Sequence, residues 1–171
     1  MRSAIALLAC ACILGLVNGS VVQKERLLET GRTVLLELAP VDPRSLMQGD
    51  YMALQFAIAR DTREALMKAR GVMEARAQRR LAAASGRIVA RLDANGIAAY
   101  SRLDDAKPLA ENEIHLRYRV RQGQVRFATN AYFFEEGTAK RYEAAQYGEL
   151  RDAPDGELLL TRLRGRDLKP L

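Results

Sequence analysis

Tryptophan is absent and aromatic residues make up only 6% of this 171-residue chain, so a broad aromatic platform for stacking bases is not on offer. There is one histidine, His115. A zinc site built mainly on imidazoles takes several, so that class is excluded. Cys10 and Cys12 are the two cysteines, and both lie in an apolar N-terminal stretch. No disulfide or thiolate metal site therefore supports the rest of the chain. No glycine-rich loop follows a strand and opens a helix, so nucleotide binding has no motif behind it. Internal repeats and low-complexity linkers are also missing.

What is present is the composition of a globular chain, with 49% hydrophobic and 28% charged residues. Once the N-terminal stretch is set aside, roughly 145 residues are left, enough for one domain with a real core. The net charge is +6. A basic balance favours anionic partners, although here the charge is spread along the chain, as in a domain that is merely basic.

Ser3 to Val22, SAIALLACACILGLVNGSVV, carries no charge, and Lys24, Glu25 and Arg26 follow it. About 20 uncharged residues are close to the length that spans hydrocarbon as a helix. The expectation is a signal anchor over residues 1–22 and one domain over 23–171. The alternative is a secretory leader cut near Gly19, where small residues stand. Arg2 and the terminal amine argue for an N-terminus inside the cytoplasm. The domain is then expected on the periplasmic side of the inner membrane, away from nucleic acid.

Along the domain, Val34–Leu38 reads as a strand closed by Pro40 and Pro43. A second strand is expected over Tyr51–Ala59, with Met52, Leu54, Phe56 and Ile58 facing the core. Asp61–Ser85 reads as an amphipathic helix, capped by Asp61 or Thr62, with Leu66, Ala69, Met73, Ala77 and Leu81 as its apolar stripe. Asn95-Gly96 marks a hairpin between Arg87–Leu92 and Ile97–Leu103. Gln122-Gly123 marks a second one, whose return strand runs on toward Phe134. A helix is expected from Thr138 to Tyr147, stopped by Gly148. The chain ends with a turn at Asp155-Gly156 and a strand over Glu157–Leu163. The sum is an α+β domain, an antiparallel-rich sheet of about seven short strands with two helices.

Two stretches carry a family resemblance. GDYMALQF, with Gly49, Asp50, Tyr51 and Leu54, resembles the signature of the GDYXXLXY family of bacterial membrane-anchored proteins. Phe56 stands where that signature has its second tyrosine, which keeps the ring and loses the hydroxyl. The segment from Arg117 to Arg151 is similar to the family's C-terminal half, with Phe134, Glu136, Gly137, Tyr142, Tyr147, Gly148 and Glu149 in matching places. The resemblance implies membrane anchoring and a partner among multi-span membrane proteins. It supplies no substrate, cofactor or catalytic residue. A Gly-Asp turn feeding a strand also resembles the active-site strand of signal peptidases, but Val41 stands where their nucleophilic serine would be, and nothing identifies a lysine partner for Ser45.

The remaining candidates are polar clusters. Arg117, Arg119 and Arg121 alternate along one strand and, with Arg126 beyond the turn, form a basic face suited to phosphate, an acidic partner or a membrane surface. Glu135, Glu136, Glu143 and Glu149 cluster in sequence; Asp50, Glu136 and Glu149 would be the acids of a hydrolase if they converged. The reading that fits best is a non-enzymatic anchored envelope domain. Its contact surface is expected around Tyr51 and the Glu136–Glu149 segment, and no metal or cofactor is implied.

Overall fold

The computed structural model describes residues 2–39, 47–48, 51–69 and 81–171, with the side chains of residues 2–8 and 47–48 left aside. The chain divides into two compact units, Met1–Gly31 and Arg32–Leu171. The first unit is helix α1, Arg2–Thr30. Its alanines and leucines favour a helix. It runs unbroken through Val22, where the domain boundary was expected, and its last turn is closed by the Thr30 hydroxyl donating to the Arg26 carbonyl. Ile13, Leu14, Leu16, Val17, Val21 and Val22 are exposed along it. Among the described residues, no helix is long and apolar enough to cross a membrane.

The second unit is α+β, with mostly antiparallel pairing. Strand β1 (Arg32–Glu37) opens it, followed by β2 (Met47–Gln48) and β3 (Tyr51–Ala53). Helix α2 (Ala57–Ala69) precedes β4 (Ala84–Leu92), β5 (Ala98–Leu103), β6 (Glu113–Arg121) and β7 (Gln124–Arg126). Then come β8 (Ala131–Phe133), the single turn of α3 (Ala139–Tyr142), β9 (Tyr147–Asp152) and β10 (Leu158–Arg164). Three sheets result, in the orders β1-β9-β10, β2-β3-β8 and β5-β4-β6-β7. Among the described residues the second unit has ten strands against the expected seven, and the two helices expected of it.

Both expected hairpins form. The Asp93 carboxylate accepts the Asn95 and Ile97 amides at 2.9 and 2.8 Å, which fixes the first turn. Gln122 and Gly123 both take positive φ, 54° and 77°, as the second needs. Its return strand is shorter than expected: β7 ends at Arg126, and β8 leaves to pair with β3.

Three expectations are corrected. The Tyr51–Ala59 strand stops at Ala53, and α2 begins at Ala57. All four expected core residues, Met52, Leu54, Phe56 and Ile58, are nonetheless buried. Ile58, Thr62 and Leu66 form the buried stripe of α2 at a spacing of four, which is why the helix starts earlier. Thr62 is no cap: it is fully buried and donates to the Ile58 carbonyl at 2.8 Å. Ser85, the expected end of that helix, lies in β4, while Met73 and Ala77 lie outside the described residues.

The third correction concerns the helix expected from Thr138 to Tyr147. It is one turn, α3, and Tyr147 and Gly148 belong to β9, the central strand between β1 and β10. A Cβ on Gly148 would sit 3.0 Å from the Phe56 ring and 3.1 Å from Leu160 Cδ1. The glycine is there to admit those side chains, not to end a helix.

Two backbone links join the larger sheets. The Leu35 amide donates to the Gly96 carbonyl at 2.9 Å, at a parallel bridge between Leu35 and Ile97. The Arg117 amide donates to Gly156 in the β9–β10 turn at 2.8 Å. Val34, Leu36, Ile88, Leu116, Leu150 and Leu163, each fully buried, centre the core.

Candidate functional site

Tyr51 stands on β3 directly opposite Phe133 on β8, with ring centroids 5.7 Å apart. Tyr51 is half-buried rather than exposed, whereas Phe133 is 74% exposed. Strand β8 is an edge of its three-stranded sheet. The residues on either side of Phe133 turn inward. Tyr132 and Phe134 pack on buried Tyr142 with centroids 5.2 and 5.1 Å apart. Burial raises the Tyr132 hydroxyl pKa, and a hydrogen bond with Tyr142 adds to it.

The motif's other residues pack. Leu54 is buried and its amide donates to the Asn130 carbonyl, just before β8. Phe56 is buried against Gly148 and bridges Leu38. The two family stretches therefore meet, ring on glycine, inside the core. Gly49 and Asp50 lie outside the described residues.

The acidic candidates have separate surroundings. Glu136 is exposed in the turn before α3, and Gly137 takes the positive φ of 81° that this turn needs. Glu149 is 4% exposed. Its Oε2 accepts Arg164 Nε at 2.6 Å, and Arg162 Nε stands 3.6 Å from Oε1. A bulge between Leu160 and Arg162 carries both arginines onto it, and the Thr161 hydroxyl donates to the Glu149 carbonyl. Arg164 also donates to the Leu168 carbonyl, which ties down the C-terminal segment. Tyr147 is half-buried at the start of β9, between Glu37 and Arg164.

A second buried acid on β9 was not singled out from the sequence. Asp152 is 9% exposed, and its Oδ1 has no hydrogen-bond partner among the described residues. Burial pushes its pKa up to about 7, against the pull of nearby Arg32.

The basic face is real and wider than the sequence suggested. Arg117, Arg119 and Arg121 are exposed on β6, while Leu116, Tyr118 and Val120 face the core. The register adds Arg87 opposite Arg117 and Ser85 opposite Arg119. On the other side Arg126 stands opposite Arg119. Ser85, Arg87, Arg117 and Arg119 line a cleft of about 610 Å³, whose other wall includes Asp155 and Glu157 of the β9–β10 connection. Arg126 follows from counting across the two-residue turn. Arg87 could not, because the β4–β6 register is set across β5 and the long connection after it.

His115, on the same strand, is largely covered by comparison. Its Nδ1 lies 3.9 Å from Asp104 Oδ2 and makes no hydrogen bond among the described residues. The Ala106 amide holds the Asp104 carboxyl below its ordinary pKa, assisted by the Arg87 guanidinium.

No curated protein and no solved structure matches the chain. The model of one family, described as GDYXXLXY protein, matches residues 13–163. That span takes in both stretches that meet at Phe56 and Gly148, and the chain belongs to the GDYXXLXY family.

Proposed function

We propose that this chain is a membrane-anchored, non-enzymatic domain of the cell envelope that binds a multi-span membrane-protein partner through its aromatic edge at Tyr51 and Phe133. The observation that carries the reading is Phe133, a large apolar ring 74% exposed on an edge strand and backed by Tyr51. An exposed aromatic anchor beside a sheet edge suits a partner that supplies both an apolar pocket and backbone hydrogen bonds. The anchoring part rests on the uncharged Ser3–Val22 stretch and its exposed apolar side chains. The periplasmic placement rests on the charge pattern around that stretch, with leader cleavage near Gly19 as the competing outcome. The acidic-hydrolase alternative draws no support from Glu149, whose carboxylate is engaged by Arg162 and Arg164.

The test is crosslinking in intact cells, followed by purification of the full chain from the membrane fraction. A crosslinked membrane protein is expected, and Phe133→Glu is expected to abolish it without changing the thermal midpoint. Recovery of free monomer alone counts against partner binding. A reporter fused to the C-terminus should be active outside the cytoplasm; activity inside would overturn the placement.

A further inference from the structure

The outward face of β4, β6 and β7 sets arginine against arginine twice, Arg87 across from Arg117 and Arg119 across from Arg126. Like charges directly opposed on a ladder repel. Two of these cations are answered by acids: Asp104 meets Arg87 at 2.9 Å and Asp155 meets Arg117 at 3.0 Å. Among the described residues, Arg119 and Arg126 hydrogen-bond to neutral oxygens instead, the Ala128 carbonyl and Gln124 Oε1, each at 3.2 Å. Arg121 extends the row. Of this row Arg87, Arg117 and Arg119 line the cleft, whose carboxylates are Asp155 and Glu157, while Arg121 and Arg126 stand beyond its lining.

We propose that the cleft on this face binds a phosphate-bearing ligand, with Arg119 forking onto the phosphate oxygens and the Ser85 hydroxyl beside it donating a hydrogen bond. Arg119 brings to the cleft a cation whose hydrogen bond goes to a neutral oxygen, and Arg121 and Arg126 beside it add positive field, which suits a phosphate. Planar guanidiniums meet phosphate oxygens in pairs, and such charge-assisted bonds are the strong ones. The volume of about 610 Å³ admits a phosphate together with the group that carries it. The floor is rigid: at Gly86 a Cβ would fall 2.7 Å from the Tyr118 hydroxyl, so ring and strand lie in direct contact. The phosphate can belong to a soluble ester or to an anionic lipid headgroup. The inference goes beyond partner binding and does not rest on it.

The experiment titrates the full chain with pyrophosphate by calorimetry and, separately, with phosphatidylglycerol and phosphatidylcholine vesicles by co-sedimentation. Saturable binding is expected to pyrophosphate, or stronger sedimentation with phosphatidylglycerol than with phosphatidylcholine vesicles, or both, because the apolar Ser3–Val22 stretch carries the chain onto either lipid. Pyrophosphate binding without a preference for phosphatidylglycerol identifies a soluble ester, and the reverse identifies a headgroup. Arg119→Gln should weaken binding roughly ten-fold or more, the loss of one charge-assisted pair. Arg119→Lys should recover only part, since it restores charge without the fork. Arg60→Gln removes a cation that is 86% exposed on α2 and should change nothing. Absence of pyrophosphate binding together with equal sedimentation on the two lipids, or equal weakening by Arg60→Gln and Arg119→Gln, would overturn the site.

Discussion

In the β1-β9-β10 sheet, Glu149 is buried and meets two guanidiniums; in the β5-β4-β6-β7 sheet, arginine is set across from arginine on the open face. Burial accounts for the contrast. A buried carboxylate without a partner carries a desolvation cost that water cannot relieve, and the two arginines beside Glu149 offset it. Exposed guanidiniums are screened, and opposing them costs only tenths of a kcal/mol per pair. Asp152 breaks the pattern of its own sheet, being buried with one oxygen that has no hydrogen-bond partner among the described residues.

The largest effect is expected at Glu149. Glu149→Gln should destabilise the fold by about 3 kcal/mol, because Arg164 and Arg162 lose their counter-charge while Arg164 stays three-quarters covered. Urea unfolding measures it; an unchanged midpoint would mean that this ion pair does not hold the C-terminal segment. Next is Gly148→Ala. Its methyl group enters the space of Phe56 and Leu160 and should cost about 1–2 kcal/mol. Adding Phe56→Leu should recover part of the loss, which tests whether the two family stretches meet as described.

Asp152 gives a smaller, pH-dependent effect. Its folded pKa of about 7 lies above the ordinary aspartate value, so between the two the folded state holds an extra proton. Stability contributed by the protonated form is therefore lost as pH rises from about 4 toward 7. Asp152→Asn should stabilise by about 1–2 kcal/mol at pH 8 and by much less at pH 5. Thermal melts at the two pH values sharpen the comparison between Glu149 and Asp152. The smallest effect is Arg126→Gln, which relieves one arginine pair and should stabilise by about 0.2–0.5 kcal/mol at low salt. That gain should fade in high salt, as melts across a salt series would show.

Local signals were the legible ones. Asn95-Gly96 and Gln122-Gly123 gave both hairpins because turns that need positive φ leave a mark in sequence: Gly96 takes it at the end of a three-residue loop, and Gln122 and Gly123 take it in a two-residue one. Alternation named Met52, Leu54, Phe56 and Ile58 as core, although the chain passes from strand to helix between them. Gly148 was misread because a glycine that stops a helix and one that admits a distant ring look alike until Phe56 is placed beside it. Strand β8 escaped for the same reason: its partner, β3, comes from the far side of four other strands and a helix. Of the site, Arg117, Arg119, Arg121 and Arg126 could be read from alternation and turn length, whereas Ser85, Arg87 and Asp155 required long-range register.

The pairing of β1 with β9 governs how the domain is made. Arg32 faces Asp152 and Glu37 faces Tyr147, so the first strand of the domain has its ladder partner near the other end of the chain. Such distant pairing has high contact order and forms slowly. During synthesis Val34, Leu35 and Leu36 emerge long before the strand that covers them, and the β1-β9-β10 sheet closes only when the last strands have been released. A chain truncated before Tyr147 lacks that sheet altogether. The domain therefore stays open until β9 and β10, its own last strands, have been made.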